Sequence, residues 1–293
     1  MALKDFYNKY YKVLTLIPII LLLGSLGVIY MNYLKTGDFV NMDVTLKGGI
    51  TATVTTTQRF PNLESDLKSL LNTELTVRTL AEFGSNEQLG LLIEVPDVPD
   101  AQLKEALEQT LGFPLTDNNY STEQIGATLG QSFYRQMLVA IFLAFIFIGI
   151  VVLITYRAIV PSLTVVFAAF MDMVVTVAIM NLTGIKLSTS GIAALLMLIA
   201  YSIDTDMLIT TKALKRADEG PLFERMLSGV KTGLTMTVTT VVALLAGYFI
   251  STSILIKQIF LIIIIGLIID VIATYLMNAG VLTWWVKRKH GQD

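Results

Sequence analysis

The chain contains no cysteine and a single histidine, His290. It therefore cannot form disulfides, use a thiol nucleophile or assemble the Cys and His ligand sets of zinc sites. No other motif predicts a metal or a cofactor. Charged residues are scarce at 15%, and the formal net charge at pH 7 is −2. Because the one dense basic run is only Lys287, Arg288 and Lys289, the chain also lacks the broad basic surface that binds nucleic acid.

Apolar sequence is abundant instead. Hydrophobic residues make up 54% of the chain, and the mean hydropathy of +0.68 is typical of a membrane-embedded protein. A bilayer core about 30 Å thick needs roughly 20 apolar residues per helix. The predicted spans are residues 13–34, 137–156, 160–182, 189–211, 233–251 and 258–283. The first span lacks a small-residue cleavage site, which favours a retained anchor over a signal peptide.

The basic residues outside the spans fall mostly on one side of the membrane. The opposite short loops carry only Lys186 and Lys257. The positive-inside rule therefore predicts a multi-pass cell-membrane protein with a cytoplasmic N-terminus (1–12), loop (212–232) and tail (284–293). Within that loop, residues 221–227 are predicted to form a short helix on the membrane surface. Contact with anionic membrane lipid is predicted for Lys212, Lys215 and Arg216.

The polar segment 35–136 is too long for a simple connection between the first two spans. It predicts a small extracytoplasmic α+β domain of the ferredoxin-like βαββαβ type. The pattern is strand-like over 50–57, helical over 62–72, strand-like over 75–83, turning at 84–86, strand-like over 89–95, helical over 100–111 and extended over 114–121. Asp100 is the predicted N-cap of the second helix, and Gly112 ends it. The simplest interpretation is a soluble lid without chemistry of its own.

Two glycine-containing stretches flank this domain where it meets the membrane. Asp43, Gly48 and Gly49 follow the first span, and Gly126 and Gly130 precede the second. Glycines permit tight turns and close approach of neighbouring backbones, so we interpret both stretches as the junction between the domain and its membrane base. A phosphate-binding loop is the alternative, but neither stretch has the Lys-Ser/Thr ending of a Walker motif.

Four aspartates, Asp172, Asp204, Asp206 and Asp270, lie in stretches otherwise apolar enough to cross a bilayer, and no Lys or Arg occupies the middle of these stretches. An intramembrane carboxylate is costly and marks a functional site. Such a group could bind and release a proton if water reached it from one side at a time. A neutral acid that only joins helices is the alternative, although Ser, Thr, Asn or Gln normally serve that purpose. We interpret all four as candidate proton-coupling groups.

The two acids of the fourth span cannot both point into one narrow seam, because adjacent helical positions differ by about 100°. Asp204 shares its face with Ala193, Met197, Ala200 and Thr211, which are mostly small enough to admit a neighbouring helix. Asp206 continues a polar stripe with Ser202 and Thr210, and Lys212 or Lys215 could pair with it. We therefore expect Asp204 to be the buried acid and Asp206 to face the helix end or a partner.

The fifth span carries a stripe of small residues. We expect this stripe to pack tightly against the fourth span. Its members are Thr232, Thr235, Thr239, Ala243, Ala246 and Gly247.

Together these motifs resemble the SecF branch of the SecD–SecF protein-export family. The residues that carry the resemblance are Asp43-x4-Gly48-Gly49, Ile125-Gly126-x3-Gly130 and the run AYSIDTDMLI at 200–209, and the match of topology extends over nearly the whole chain. The resemblance implies a membrane bundle of the resistance-nodulation-division (RND) type. It also implies a SecD-like subunit, the Sec translocation channel and a translocating polypeptide as partners, with export driven by the proton gradient.

The chain departs from the bacterial pattern in two places. Bacterial relatives commonly read Gly-Tyr-Ser-x-Asn-Asp-Thr in the fourth span, so that Asp204 falls at the Asn position and Thr205 at the Asp position. The local pattern is similar to a Val-Asp-Ala-Asn run of SecD, which would make Asp204 the counterpart of that carboxylate. Met171 and Asp172 resemble a His-Asp pair without its His. These departures favour an archaeal type of SecF.

Two other functions fit parts of the pattern. The RND fold also serves export of small molecules and lipids, but those transporters generally combine two six-span halves in one chain. An intramembrane aspartyl protease would need paired aspartates, for which Tyr201-x-x-Asp204 and Asp270 are candidates. The approach to Asp270 lacks the Gly-x-Gly-Asp turn and the Pro-Ala-Leu sequence of presenilin-like proteases. The sequence therefore predicts a transport protein, coupled to protons or sodium ions, and no enzyme.

Overall fold

The computed structural model describes residues 2–81, 88–96, 98–251 and 253–290. In that part of the chain, six helices are long and apolar enough to cross a membrane, which confirms the predicted number of spans. They are α1 (Ala2–Thr36), α5 (Ala127–Tyr156), α6 (Ile159–Thr183), α7 (Thr189–Leu214), α8 (Leu222–Ile250) and a final helix made of α9 (Ile254–Ile272), a π-helical segment (Ala273–Asn278) and α10 (Ala279–His290).

The helix of the fifth span begins earlier than predicted. The segment expected to lie on the membrane surface, 221–227, instead forms the N-cap and first turns of α8, and α8 continues unbroken into the span. The sequence contains no proline between Leu222 and Ile250, so one continuous helix satisfies the backbone hydrogen-bonding groups more simply than two helices would. Between α7 and α8 only a short 3₁₀ turn remains, Ala217–Glu219.

Helices α6, α7 and α9 form the centre of the bundle. Both α6 and α7 contact α9 extensively, while α1 and α5 flank α6 and α8 covers α7 and α9. Small residues let the central helices approach closely, as at Gly266 of α9, where an added Cβ would overlap the side chain of Leu198. Large apolar side chains cover the outer faces of α1 and α5, where a bilayer would meet them.

The domain between α1 and α5 has the predicted βαββαβ order. After a short helix, α2 (Val44–Lys47), the elements are β1 (Gly49–Thr55), α3 (Leu63–Leu71), β2 (Thr76–Ala81), β3 (Gln88–Val95), α4 (Asp100–Leu111) and β4 (Tyr120–Ile125). The strands form an antiparallel sheet in the order β2-β3-β1-β4, the ferredoxin-like arrangement. A single core fills the space between the sheet and its helices, with Ile50, Leu67, Ile93 and Leu107 buried in it. The fold class predicted from the sequence is confirmed.

Several boundaries in this domain differ from the prediction. The last strand is Tyr120–Ile125, whereas the extended segment was expected at 114–121. Pro99 rather than Asp100 is the N-cap of α4, and Asp100 is the first helical residue, whose carboxylate accepts a hydrogen bond from the Tyr120 hydroxyl at 2.8 Å. Gly112 ends α4 in a left-handed conformation, as expected. The turn predicted at 84–86 lies outside the described residues.

A set of contacts ties the domain to the connection between α6 and α7. Asn41 and Asp43 form backbone hydrogen bonds with Leu187, and Thr189 N donates to the Thr45 hydroxyl at 3.1 Å. Lys186 extends from the same connection to the Thr76 hydroxyl of β2. These hydrogen bonds attach the domain to the N-terminal end of α7.

Glu94 of β3 is the buried acid in this tie. Its carboxylate lies 3.7 Å from Arg78 Nη1 and 3.6 Å from Lys186 Nζ, and only 4% of its side chain is exposed. Burial raises the pKa of Glu94, and Asp43 adds to the rise, although Arg78 and Lys186 oppose it. Because the pKa is raised in the folded state, Glu94 favours folding most when it is protonated, and this contribution is lost as pH rises through the folded-state pKa.

Replacing Glu94 by Gln should therefore flatten the pH dependence of the domain's stability. Between the usual glutamate pKa of about 4.3 and neutrality, wild type should lose stability relative to Glu94→Gln. Thermal unfolding followed across that pH interval measures the difference. Glu105→Gln, on the exposed face of α4, is the matched control and should keep the wild-type profile. A wild-type profile in Glu94→Gln would contradict the assignment.

Candidate functional site

Three of the four intramembrane aspartates meet in the centre of the bundle. Asp172 of α6, Asp206 of α7 and Asp270 of α9 are buried, with 1%, 0% and 1% of each residue exposed. Asp270 interacts electrostatically with both Asp172 and Asp206. The three acids therefore form one cluster, which we call the carboxylate cluster.

Hydroxyl and amide groups surround the carboxylate cluster. Ser202 Oγ donates to Asp172 Oδ2 at 2.6 Å. Asp270 accepts hydrogen bonds at both carboxyl oxygens, from Thr205 Oγ1 and from Thr274 Oγ1, each at 2.9 Å. Asn278 Nδ2 donates to Asp206 Oδ1 at 2.7 Å. These contacts join α6, α7 and the last helix through polar groups alone.

The cluster still has unused hydrogen-bonding capacity. Asp172 Oδ1 and Asp206 Oδ2 are buried, and neither has a hydrogen-bond partner among the described residues. The buried side-chain oxygens of Thr176, Tyr275 and Asn278 also lack a hydrogen-bond partner among the described residues. Two carboxyl oxygens can therefore take up a proton without breaking an existing contact.

No cation compensates the three acids within the described chain. None of the ion pairs there involves Asp172, Asp206 or Asp270. The buried Arg225 of α8 instead donates from Nη1 to the carbonyl oxygens of Lys212 and Ala213 at the end of α7. Holding adjacent carboxylates in a low-dielectric interior as anions costs several kcal/mol per ion. The stability of the carboxylate cluster therefore depends on how many protons or cations are bound to it.

The π-helical segment positions two of the partners. Asp270 lies in the last turn of α9, and Thr274 and Asn278 are both within Ala273–Asn278. Single π-helical turns inside α-helices are rare and occur frequently at functional sites. Here the segment turns Thr274 towards Asp270 and Asn278 towards Asp206. The sequence analysis overlooked both residues, although polar side chains four and eight positions after an intramembrane Asp270 were a usable signal.

The expected roles of Asp204 and Asp206 are reversed in the structure. Asp206 is buried, and its polar stripe with Ser202 and Thr210 faces the bundle interior. Asp204 is exposed on the outer face of α7 together with Ala193, Met197 and Ala200. Lys212 pairs with Glu219 at 2.6 Å and not with Asp206. Asp204 is exposed whereas Asp270 is buried, so the aspartate pair considered for a protease does not share one site.

The small-residue stripe of α8 does not pack against α7 as expected. Thr232, Thr235, Thr239, Ala243 and Ala246 are exposed, and the threonine hydroxyls donate to carbonyl oxygens of their own helix. The inward face instead carries Gly229, Gly233 and Thr237. An added Cβ at Gly233 would lie 2.5 Å from the Tyr275 hydroxyl, so this glycine is what admits the close packing. Helical spacing alone did not distinguish two neighbouring stripes of small residues.

The junction motifs meet in space. Gly48 follows α2 with a φ of 88°, and an added Cβ there would overlap the Ala127 backbone at the start of α5. At Gly130, an added Cβ would lie 2.8 Å from the Leu46 carbonyl oxygen. Asp43 caps α2 by accepting a hydrogen bond from Thr45 N at 2.5 Å. At Gly49, an added Cβ would lie 2.5 Å from the Val95 carbonyl oxygen, whereas no atom lies within 4 Å of an added Cβ at Gly126. Close backbone contact therefore explains the three glycines Gly48, Gly49 and Gly130, and helix capping explains Asp43.

Comparison with known proteins identifies the family. The family model described as "Protein export membrane protein SecD/SecF, C-terminal" matches residues 104–288. The chain is 37% identical to the protein-export membrane protein SecF of Pyrococcus furiosus over 96% of this chain and 93% of that protein. It is 33% identical to SecF of Methanothermobacter thermautotrophicus over 98% and 96%. The chain belongs to the SecD/SecF family.

Solved structures of the SecD/SecF family share its fold. SecDF, a translocon-associated membrane protein from Thermus thermophilus, superimposes with a TM-score of 0.72 at 17% identity and covers 94% of this chain. A super-membrane-facing form of SecDF gives a TM-score of 0.64 at 19% identity over 97% of this chain. The chain spans 38% and 39% of the length of those two SecDF chains, but nearly the full length of the SecF relatives. The curated relatives named here are archaeal, in keeping with the archaeal type expected from the fourth span.

Proposed function

We propose that the chain is the SecF subunit of a SecD–SecF pair that promotes polypeptide export through the Sec channel, and that the carboxylate cluster couples this work to the proton gradient. Family membership supports the export role. The single observation that supports coupling is the burial of three interacting acids without a cation in the described chain.

The proposed orientation places both termini in the cytoplasm and the ferredoxin-like domain outside it. The basic residues of α1, α10 and the connection between α7 and α8 lie at the bundle end opposite the domain, which the positive-inside rule assigns to the cytoplasm. The domain is thereby on the side where an exported polypeptide emerges. Contact with that polypeptide, and with membrane lipid around the helices, is part of the proposal.

Coupling would proceed through two arrangements of the bundle. When protons neutralise Asp172 and Asp206, the cluster is stable as packed, because both have a free oxygen to protonate. Loss of a proton leaves a buried anion that repels Asp270, which favours an arrangement with access to water. Because α7 also carries the contacts to the domain near Thr189, a shift of α7 would move the domain.

The outward face of α7 and α8 is the proposed contact with the SecD-like subunit. We call the surface formed by Asp204 and the exposed stripe Thr232, Thr235, Thr239, Ala243 and Ala246 the small-residue face. A carboxylate facing lipid at this depth would cost several kcal/mol, whereas small residues allow another helix to approach. A helix of the SecD-like subunit that packs on the small-residue face and offers Asp204 a hydrogen-bond donor or a cation would remove this cost.

Replacing Asp204 by Leu should weaken that contact without unfolding the chain. The substitution removes the polar group that the partner would bind, and the side chain of Asp204 is exposed and forms none of the ion pairs among the described residues. Recovery of the SecD-like subunit with the tagged chain should fall by about tenfold, corresponding to about 1.4 kcal/mol. Met197→Leu, on the same exposed face, is the control and should copurify normally. Unchanged recovery with Asp204→Leu would remove this face from the proposal.

Purification from native membranes tests the function as a whole. With the tagged chain as bait, the export role predicts recovery of a SecD-like subunit together with channel components. A homotrimer carrying a bound hydrophobic molecule would instead indicate a small-molecule exporter and would overturn the proposal.

A further inference from the structure

The cytoplasmic end of the bundle, as oriented above, holds a small cavity between α1, α8 and α10, lined by apolar as well as polar side chains. Its volume is about 200 Å³, and its lining includes Lys4, Tyr7, Asn8, Phe223, Thr283 and Lys287. The Tyr7 hydroxyl lies 3.1 Å from Thr283 Oγ1, and the Tyr7 ring lies 5.8 Å from that of Phe223. Two lysines, an amide and two hydroxyls thus line one partly open cavity, whose remaining walls are apolar.

The cations that line this cavity, Lys4 and Lys287, have no acidic partner among the described residues. Lys4 and Lys287 form none of the ion pairs of the described chain, and Asp5 and Glu224, the acids next to the cavity in sequence, do not pair with them. Lys12 and Lys287 both sit over the ring of Tyr11, at 6.0 Å and 5.4 Å from its centroid. Ammonium groups held near one ring repel each other, so an anion bound beside them lowers the energy.

The surroundings place this cavity at a membrane surface. Both tryptophans of the chain, Trp284 and Trp285, lie on α10, and Arg288 and Lys289 stack over them. Lys9 lies 5.2 Å from the ring centroid of Tyr10 on α1. Tryptophan and tyrosine are enriched where helices leave the hydrocarbon core, and basic groups there attract anionic headgroups.

The basic residues first considered for lipid contact are less suited to it. Lys212 and Arg216 both pair with Glu219, at 2.6 Å and 3.0 Å. Lys215 lies over the ring of Tyr156 and outside the cavity. Lys212 and Arg216 therefore have an acidic partner, whereas Lys4 and Lys287 have none among the described residues, and Lys215 does not reach the cavity.

We propose that the cavity between α1, α8 and α10 binds the phosphate of an anionic phospholipid headgroup, held by Lys4 and Lys287 and by hydrogen bonds from Asn8 and Tyr7. A soluble phosphate shares this chemistry, but the membrane-surface position favours the lipid. The site joins the first and last helices of the bundle through a lipid. This inference does not depend on the export role.

Lipid retention measures the site directly. The chain together with its SecD-like subunit is placed in nanodiscs of phosphatidylcholine containing a minority of phosphatidylglycerol, and retained lipid is read by native mass spectrometry. The double variant Lys4→Gln, Lys287→Gln should lose preference for phosphatidylglycerol by about thirtyfold or more, because it removes two direct charge-assisted hydrogen bonds to the bound phosphate. The control Lys215→Gln, Lys231→Gln removes the same charge from the same end outside the cavity and should keep the preference.

Three results would overturn the proposal. The two double variants could lose preference equally, which indicates diffuse attraction to the surface. The Lys4 and Lys287 variant could retain its preference. Inorganic phosphate, added in solution, could displace phosphatidylglycerol from wild type, which indicates a site for a free anion. Each outcome leaves the export assay unaffected, so failure here is distinguishable from failure of the proposed function.

Discussion

Asp206→Asn should remove most gradient-dependent export while leaving the complex with the SecD-like subunit intact. Asparagine matches the shape of Asp206 and can still accept the hydrogen bond from Asn278 Nδ2, but it cannot release a proton. We expect the export rate under an imposed proton gradient to fall by about tenfold or more, which corresponds to at least about 1.4 kcal/mol. Translocation of a secretory protein into membrane vesicles measures the effect.

The chain supplies a matched control for this experiment. Asp204→Asn makes the same chemical change two residues away, on the outer face of α7, and should retain most gradient-dependent export. Collapsing the proton gradient should lower wild type to the level of Asp206→Asn. If a sodium gradient alone sustains wild-type export, the coupling ion is sodium. Wild-type export by Asp206→Asn would refute the role of the cluster.

Gly48→Ala should disrupt the connection between the domain and the membrane bundle. Gly48 has a φ of 88°, and its Cα faces the backbone of Ala127 so closely that a methyl group cannot fit. Together with a ψ of 153°, this φ is a conformation that essentially only glycine adopts, so a residue with a side chain costs roughly 1–3 kcal/mol there, and overpacking typically adds about 1–3 kcal/mol. Thermal unfolding of the purified chain and its yield from membranes should both fall.

Gly126→Ala tests whether this effect is specific to close backbone contact. Gly126 belongs to the same pair of motifs, but its φ is −63° and no atom lies within 4 Å of an added Cβ. As the N-cap of α5 it should lose less than about 1 kcal/mol on substitution. Equal damage by the two alanine variants would show that the glycines act through something other than the steric fit described for Gly48.

The spans and the domain topology were predictable because each depends on local sequence. In lipid, the backbone N–H and C=O groups of a long apolar stretch find their hydrogen-bond partners within the stretch itself when it forms a helix, whatever helices surround it. The six stretches could therefore be assigned as helices from the sequence. The order of the ferredoxin-like domain follows from alternating and helical periodicities within 35–136, and the structure reproduces it. Boundaries were less accurate where the signal was weak, as in β4, whose polar sequence reads Tyr-Ser-Thr-Glu-Gln-Ile.

The choice between Asp204 and Asp206 was wrong for a physical reason. Helical geometry shows that the two acids diverge, but it does not reveal which direction is the interior. Small neighbours were used to place Asp204 inside, yet small residues suit a contact with another subunit equally well. The polar stripe of Ser202, Asp206 and Thr210 was the better guide, since hydroxyls are needed where an acid is buried within the same chain.

The π-helical segment could not be predicted from the pattern of the last span. Its residues, Ala273–Asn278, have ordinary helical composition. Thr274 donates to Asp270 within the same helix, whereas Asn278 donates to Asp206 of α7, 72 residues earlier in the chain. The second contact is tertiary, so the pattern of the last span alone does not reveal it. The local sequence therefore contained the polar side chains of the site, but it did not reveal the backbone geometry that brings them together.

The cap of α7 gives the molecule a mechanical link between its two halves. Ser188 accepts a hydrogen bond from Gly191 N, and its hydroxyl contacts Gln258, whose side-chain amide in turn holds the Lys186 carbonyl oxygen. From this anchored end, the helix continues without interruption to Asp206, a distance of about 27 Å at 1.5 Å per residue. A helix of that length moves as a rigid body. A rearrangement around Asp206 would therefore tilt α7 and, with it, the sheet outside the bilayer, and a tilt of the sheet would in turn displace Asp206.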